Sequence, residues 1–495
     1  MAYNLARNSR VFVTTNLDPA TGAVKTLGLT TANTSEIQVL DGFSFSQGTA
    51  TTNVEIKEAG TTPIRGQRAF NTALNPVEIS FSTYIRPKIA SGTVTAEEKH
   101  LWNALLGSVG IEGTTNAAGT TVVGSTVTGT PSTITRAGTS SPTFTITGIT
   151  ILPTLVASQI VSVQGLAGAE SYKYNKPIKV TSYGSGTLIA EWLTSPPVSG
   201  TAVTAVTVPT ATKFINSAWY TQDNGGAAVT PYGIATAATS GKNQLLPIGF
   251  IFNVDNAWYT IDNCAMDSAA VDFGLDAIAM VAWAAKGTKL TNIGVVTPVT
   301  VTGSTTFTGG LTGTVSGKDV NAGYITNKLS TVTLRSTLGM VGAGNTATTV
   351  VLTGGNFNIS NNITYVTPNN IGVVNIPIGY FTGTRAISGT MNAYLRTGSG
   401  EVSELLNTML TNIGTSAETK YGLQLEIGGA ANGTRVELEM PGVVLGVPSV
   451  EIADVISTAI TFNAQGTAKD IVGKTDASYD IENTNDVTIR YYSAA

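Results

Sequence analysis

The chain has 495 residues, a length that favours two to four domains over one. Charged residues are 12 % of it, against roughly a quarter in an average soluble protein, yet the mean hydropathy is only +0.17, because Thr, Ser, Asn and Gly supply uncharged polarity. A net charge of −4 leaves no general basic footprint for gripping nucleic acid, the single Cys264 excludes an internal disulfide framework or a cysteine-rich zinc site, and 42 % hydrophobic residues argue against wholesale disorder.

Residues 1–13 carry Arg7 and Arg10 but no apolar h-region, so no signal peptide is expected. Residues 47–76 read as a long loop, too long for an ordinary hairpin connection, and loops of that length in compact domains are usually functional or disordered. In it Val54, Ile56, Ile64 and Phe70 alternate with Glu55, Lys57, Glu58, Arg65 and Arg68. Apolar anchors with a charged rim are what a subunit contact uses. The alternation Val77-Glu78-Ile79-Ser80-Phe81-Ser82 then predicts a half-buried strand.

The clearest helix follows at residues 95–107. Thr95 and Glu98 have capping-box spacing and Gly107 offers a stop. Leu101, Trp102, Leu105 and Leu106 share its apolar face, which puts His100 on the hydrophilic side with Glu97, Glu98 and Lys99. Residues 112–217 are dominated by Thr, Ser, Gly and Val and contain their own strand and turn signals. They are long enough for a small inserted β-domain. Within them, residues 148–169 lack charge and could span a bilayer by length, but Pro153, Ser158, Gln159, Ser162 and Gln164 dilute them. Two short strands are expected there, and no membrane insertion. Residues 291–317, rich in Thr, Gly and Val, read as an extended linker or an exposed hairpin. Strand alternation returns at 421–427 and 487–491.

An internal repeat organises these segments. Phe81-Ser82-Thr83-Tyr84-Ile85-Arg86 is echoed by Met391-Asn392-Ala393-Tyr394-Leu395-Arg396, each followed by an amphipathic helix. Leu101 to Leu106 matches Leu405 to Leu410. Without gaps, Val271-Asp272-Phe273 matches Val450-Glu451-Ile452, Val281-Ala282-Trp283 matches Ile460-Thr461-Phe462, and Gly287 matches Gly466. The order is the same in both halves, so duplication is preferred over chance similarity.

Chemistry is sparse. His100 is the only histidine, so a catalytic triad or a histidine metal cluster is poorly motivated. Cys264 reads as a small buried strand residue. Asp255, Asp262, Asp267, Asp272 and Asp276 lack the spacing of a calcium loop. Gly354-Gly355 and Gly428-Gly429 match no phosphate-binding fingerprint. Trp258, Tyr259, Trp283, Tyr491 and Tyr492 could form a carbohydrate platform, but their place in alternating strands favours packing. No enzyme and no cofactor are expected.

Several segments carry a family resemblance. Leu5-Ala6-Arg7-Asn8-Ser9-Arg10-Val11-Phe12-Val13, Glu58-Ala59-Gly60-Thr61-Thr62-Pro63-Ile64-Arg65-Gly66, Trp258-Tyr259-Thr260-Ile261-Asp262 and Asn361-Asn362-Ile363-Thr364-Tyr365-Val366-Thr367-Pro368 occur in the order of the family. So do Ile376-Pro377-Ile378-Gly379 and Phe381-Thr382-Gly383. On these the chain resembles the major tail tube proteins of siphophages of the T-five type. The resemblance implies a mainly β protein with two tandem tail-tube-like β-sandwich or barrel domains, each with a flanking α-helix. The first would span 1–111 and 218–290, interrupted by an inserted decoration-like β-domain at 112–217. A linker at 291–318 would lead to the second domain at 319–495. Against that resemblance, the immunoglobulin-like decoration domain that some relatives carry is expected to be missing after Tyr492.

The implied function is structural. The chain would polymerise as stacked, trimeric, pseudo-hexameric rings into the conduit for DNA ejection, in the virion tail, after assembly in the host cytoplasm. Its partners would be itself and other tail proteins, with genomic DNA passing without specific binding. Contacts between rings are expected from Glu55, Glu58, Arg65, Arg68 and Phe70, and from Ile363 and Tyr365 in the counterpart loop at 361–383. The alternatives are another virion structural protein, such as a head decoration or tail terminator subunit, or a β-repeat adhesin.

Overall fold

Period-two alternation becomes strand wherever one face can be buried. In Arg68–Tyr84, Val77, Ile79 and Phe81 point into the core while Glu78 and Ser80 face outward. The computed structural model describes residues 9–40, 42–54, 68–90, 93–107, 109–113, 125–128, 132–136, 143–152, 154–166, 177–193, 202–210, 212–221, 245–255, 257–318, 323–335, 347–371, 374–398, 402–412, 421–428, 434–447, 449–451, 456–464 and 486–492. The protein is mainly β, as expected.

In the first half, one run of antiparallel strands pairs in the order Ser44–Val54, Arg68–Tyr84, Met280–Gly287, Ala257–Asp272. A second run pairs Thr34–Ile37, Arg10–Thr14, Ile248–Val254, the start of Ala257–Asp272, and Lys289–Gly294. The second half repeats both orders. Its first run is Leu352–Ser360, Ala386–Tyr394, Ser457–Ala464, then Arg435–Leu445 with Ser449–Glu451. Its second run is Ala347–Val350, Thr331–Arg335, Tyr421–Ile427, Arg435–Leu445, Thr488–Tyr492.

Register corrects one alignment read from the sequence. Asp272 lies opposite Met280 and Glu451 opposite Ser457, so 273–279 connect the strands in the first half and only 452–456 in the second. Phe81 faces Trp283, whereas Met391 faces Ile460. The ungapped match of Trp283 to Phe462 is therefore two residues out. Alternation hides such a slip, because a shift of two keeps every side chain on its own face.

The halves share one core. Ala257–Asp272 pairs along its free edge with Leu352–Ser360. Ser217–Thr221 pairs with the last strand, Thr488–Tyr492, and on its other edge with Ile111–Glu112. Helix α1 (Lys99–Leu106) packs on Ala257–Asp272, Ser217–Thr221 and Arg10–Thr14, and helix α2 (Val402–Asn412) on Ala347–Val350. The Trp102 ring meets the Trp283 ring edge-on, with centroids 4.7 Å apart. Its Nε1–H donates to Tyr491 Oη at 2.6 Å, and the Tyr491 hydroxyl donates to the Glu98 carboxyl. A first-half helix is thus bonded to the last strand of the second half.

This setting overturns two expectations for α1. Thr95 belongs to the strand Thr93–Ala96 and donates to Glu112 at 2.6 Å, so no capping box forms; Glu98 sits at the N-cap without a side-chain cap bond. His100 is buried, not solvated, with no partner on Nε2 among the described residues. Glu97 and Glu98 on that side are buried as well: just ahead of the helix, Glu97 pairs with buried Arg86 at 2.7 Å. The apolar face is as expected, and Gly107 ends the helix in the left-handed region at φ 79°.

Residues 125–215 form a separate nine-stranded sheet with its own core, in which Phe144 stacks on Trp192 at 4.1 Å. The uncharged stretch there gives the short strands Thr150–Leu152 and Ile160–Gln164, and no helix among the described residues is long and apolar enough to cross a membrane. Residues 296–316, expected as an extended linker or exposed hairpin, fold as a meander of Val296–Val301, Ser304–Gly309 and Gly313–Ser316. Phe307 anchors it against Phe12 and Trp258, at 5.2 and 5.5 Å between ring centroids.

Two predictions come from this architecture. The nine-stranded unit leaves and rejoins the body at adjacent points, since Glu112 lies opposite Ala218 and the Gly113 N–H bonds the Ser217 carbonyl at 2.8 Å. Replacing 114–215 with a short Gly/Ser linker should therefore leave a cooperative thermal transition in the body. A broad, non-cooperative melt would contradict this independence. The second concerns pH. Burial pushes the Glu98 carboxyl up to about 8, only partly offset by the Tyr491 bond. The folded state then holds a proton that unfolded Glu98 releases above about pH 4.5, so this group's contribution is full below that pH and is lost as pH rises toward 8. Glu98→Gln, which still accepts from Tyr491, should match the parent near pH 4.5 and exceed it at pH 8 by an amount on the order of a few kcal/mol in urea unfolding. His100, lowered to about 3 chiefly by burial, is common to both proteins and cancels in the difference. A stability gap that does not widen with pH would refute the assignment.

Candidate assembly surfaces

The segment read as a loop at 47–76 is largely a β-hairpin. Ser44–Val54 and Arg68–Tyr84 stay paired from Ser44 opposite Ser80 out to Val54 opposite Arg68, with register shifts at Gln47/Thr49 and Ala50/Thr51. Phe70 projects from the hairpin and is 60 % exposed. Arg68 closes the paired part, while Glu55, Glu58 and Arg65 lie outside the described residues.

The counterpart segment behaves differently. At its base, the Asn361 side-chain amide donates to the carbonyls of Leu105 at 2.9 Å and Met266 at 3.1 Å, and its oxygen accepts from Arg385 Nε at 3.1 Å. Ile363–Val366 then pairs with Gly379–Thr382 as a short hairpin. The Ile363 N–H donates to Asp267 at 2.9 Å, and Lys286 bridges Asp267 at 3.3 Å and the Ile363 carbonyl at 3.3 Å. The Tyr365 hydroxyl accepts from the Ala265 N–H at 3.2 Å and has the Lys286 and Asn263 carbonyls at 2.6 and 2.8 Å to donate to. Burial raises that hydroxyl well above the ordinary tyrosine range. Ile363 is buried with Leu245 and Ala265.

Ile363 and Tyr365 are thus engaged within the chain, fastening a second-half hairpin onto first-half strands. Further out, the segment lies along the first hairpin: the Leu74 N–H donates to the Asn375 carbonyl at 2.8 Å, and the Asn375 N–H to the Thr72 carbonyl at 3.2 Å. Beyond this strap the surface is apolar. Ile371, Val374, Ile378 and Phe381 are all more than half exposed, and residues 361–384 contain no charged side chain. Phe70 and Phe381 are thus both exposed aromatics, one on each of the two adjoining hairpins. The length and apolarity of 361–383 were legible in the sequence. The partners of Tyr365 were not, because they are backbone groups 79 to 102 residues away in the chain.

The joined sheet has one face on the core and one open. Ser80, Ala270, Ala282, Asn356, Asn392 and Thr461 are exposed on the open face. Charged residues on that face include Glu78, Asp272 and Lys286, the last paired with Asp267 at 3.3 Å. Its two terminal strands, Ser44–Val54 and Ser449–Glu451, each have a single strand partner among the described residues. Among those residues no group of His, Cys, Asp or Glu is arranged to hold a metal ion.

No family model matches the chain. It is similar to the tail tube protein pb6 of Escherichia phage T5, with 24 % identity over 485 residues that cover 94 % of this chain and 73 % of that protein. The resemblance to tail tube proteins of the T-five type is borne out over nearly the full length.

The strap generates a direct test. Tyr365→Phe removes a hydroxyl that serves three backbone groups and leaves the Ala265 N–H without it, which should cost about 1–3 kcal/mol of unfolding free energy in urea. An unchanged midpoint and slope would mean that the hairpin base contributes nothing to the fold.

Proposed function

We propose that this chain is the repeating structural subunit of a phage tail tube, in which three copies close a pseudo-hexameric ring and stacked rings form the conduit for DNA ejection. That it is a tail tube structural protein rests on the alignment with the phage T5 protein. The observation that carries the ring is the repeated pairing order. Two runs of the same four strands lie edge to edge in one chain, and each end strand of the joined sheet has a single strand partner among the described residues. A subunit whose two ends are complementary makes heterologous contacts, which close into a ring when the rotation allows.

The two lobes would be the tail tube domains at 1–111 with 218–290 and at 319–495, related by duplication. Three chains then present six similar lobes. The open face of the joined sheet suits a lumen. It offers hydroxyl, amide and methyl groups with few charges, so phosphates meet no line of cations to hold them. The 112–217 insertion would face outward, where it disturbs no packed contact. The exposed apolar groups of the two hairpins, Phe70 with Ile371 and Phe381, would meet the next ring, with Glu55, Glu58, Arg65 and Arg68 at the rim. Other tail proteins would cap the tube. The assembled protein would reside in the virion tail after assembly in the host cytoplasm, and no cofactor enters this role.

Electron microscopy of the purified protein decides the reading. Hollow tubes with three-fold cross-sections and six similar lobes are expected. Six copies per ring, or no tubes under any assembly condition, would overturn it.

A further inference from the structure

The junction inside the chain is a template for the junction between chains. In the first half, Asp272 lies opposite Met280, Met280 opposite Tyr84, Phe81 opposite Trp283, and Ser80 opposite Ser44. In the second half, Glu451 lies opposite Ser457, Ser457 opposite Tyr394, Met391 opposite Ile460, and Thr390 opposite Asn356. Each step has its counterpart at the same offset, so the correspondence closes across four strands. Asp272 corresponds to Glu451, Val271 to Val450, Asn356 to Ser44, Phe357 to Phe45 and Asn358 to Ser46.

Within the chain, the late strand of the first half meets the early strand of the second, antiparallel. Asp272 is opposite Asn356, Val271 opposite Phe357, and Ala270 opposite Asn358. The late strand of the second half, Ser449–Glu451, and the early strand of the first, Ser44–Val54, have their outer edges without a strand partner among the described residues. Unpaired edge N–H and C=O groups recruit another strand. The partner with the matching edge is a second copy of this chain.

We infer that neighbouring chains join by antiparallel pairing of Ser449–Glu451 of one copy with the start of Ser44–Val54 of the next, with Glu451 opposite Ser44, Val450 opposite Phe45 and Ser449 opposite Ser46. This rests on the ring reading and adds the residues and register of its seam.

Paired cysteines in the full chain test it. Directly opposed strand residues have Cα atoms about 4.5–5.5 Å apart, within disulfide reach. Ser44→Cys with Glu451→Cys, and separately Ser46→Cys with Ser449→Cys, should cross-link in assembled tubes when molecular oxygen with a copper catalyst takes the two electrons and two protons of each thiol pair. Non-reducing gels should show a ladder that stops at the trimer. Ser46→Cys with Glu451→Cys, two residues out of register, should cross-link about tenfold less. Asp272→Cys with Asn356→Cys is the internal control and should close within one chain. Either on-register pair suffices if the other variant fails to assemble. Tubes that form but cross-link only out of register would overturn the register. Tubes with no cross-link from either on-register pair would overturn the seam and leave the ring standing. A ladder running past the trimer would place the seam between rings and refute it as drawn. Failure of the unmodified chain to form tubes, with no cross-link in solution, would sink seam and ring together.

Discussion

A strand buried on both edges must find a partner for every backbone N–H and C=O it carries. Ala257–Asp272 meets that demand in two sheets at once. Its first part bonds Ile248–Val254 and Lys289–Gly294, and its last part bonds Met280–Gly287 and Leu352–Ser360. The switch falls where Asn263 takes a left-handed φ of 45° and a register shift separates Met266 from Ser268. The two sheets come close enough there that a Cβ at Gly287 would stand 2.5 Å from an Ile261 methyl and 2.8 Å from Cys264 Sγ. Glycine is needed at that point for approach, not for backbone conformation. The angle opened by the switch holds α1, and Trp102 and Trp283 fill it.

Charge buried at the other seam has a matching role. Arg490 pairs with Glu437 at 2.9 Å and also with Glu439, and lies 3.9 Å over the Trp219 ring. Arg435 lies 3.9 Å over Tyr492. Trp219 comes from a first-half strand, whereas the charged groups come from the second half. Such groups add little net stability over a well-packed apolar cluster, because desolvation offsets their attraction. They do penalise any register that separates them. Here they make the pairing of Ser217–Thr221 with Thr488–Tyr492 specific, and Gln164 of the nine-stranded unit reaches the same Tyr492 hydroxyl.

Much of this was legible in the sequence, and the misses have physical causes. Val77 to Ser82 announced a strand with one face buried, and Leu101, Trp102, Leu105 and Leu106 announced an inward helix face. His100 and the Thr95–Glu98 pair were misread because helical spacing reports which side is apolar, not whether another element covers the polar side. The hairpin at 47–76 looked like a loop because its polar run from Gln47 to Asn53 is buried on neither face, so no apolar alternation shows there. The stretch at 291–317 was read as an extended linker or an exposed hairpin; its first two strands do form an exposed hairpin, and the third strand was missed because the segment buries few large residues, chiefly Phe307, Leu311 and Val315. Of the candidate contact residues, Phe70 is exposed as a contact would need. Ile363 and Tyr365 are held by Asp267, Ala265 and Lys286, which no local pattern could reveal.

On the proposed ring, fusing two lobes in one chain would fix one junction covalently and leave the other to assembly. The cost of forming the internal junction is reduced, because its partners are held at high effective concentration. The external edges must stay unpaired on each free chain without recruiting wrong strands. Their geometry serves that end. Ser449–Glu451 is the described part of one edge. Ser44–Val54 is longer, but its register shifts at Gln47/Thr49 and Ala50/Thr51 interrupt the regular ladder. A strand that fits this edge must therefore be short and must meet it ahead of those shifts, which is where Asn356 and Asn358 sit in the corresponding internal pairing. On the proposed ring, the register shifts that would limit wrong pairing of a free chain also narrow the external junction to one short stretch.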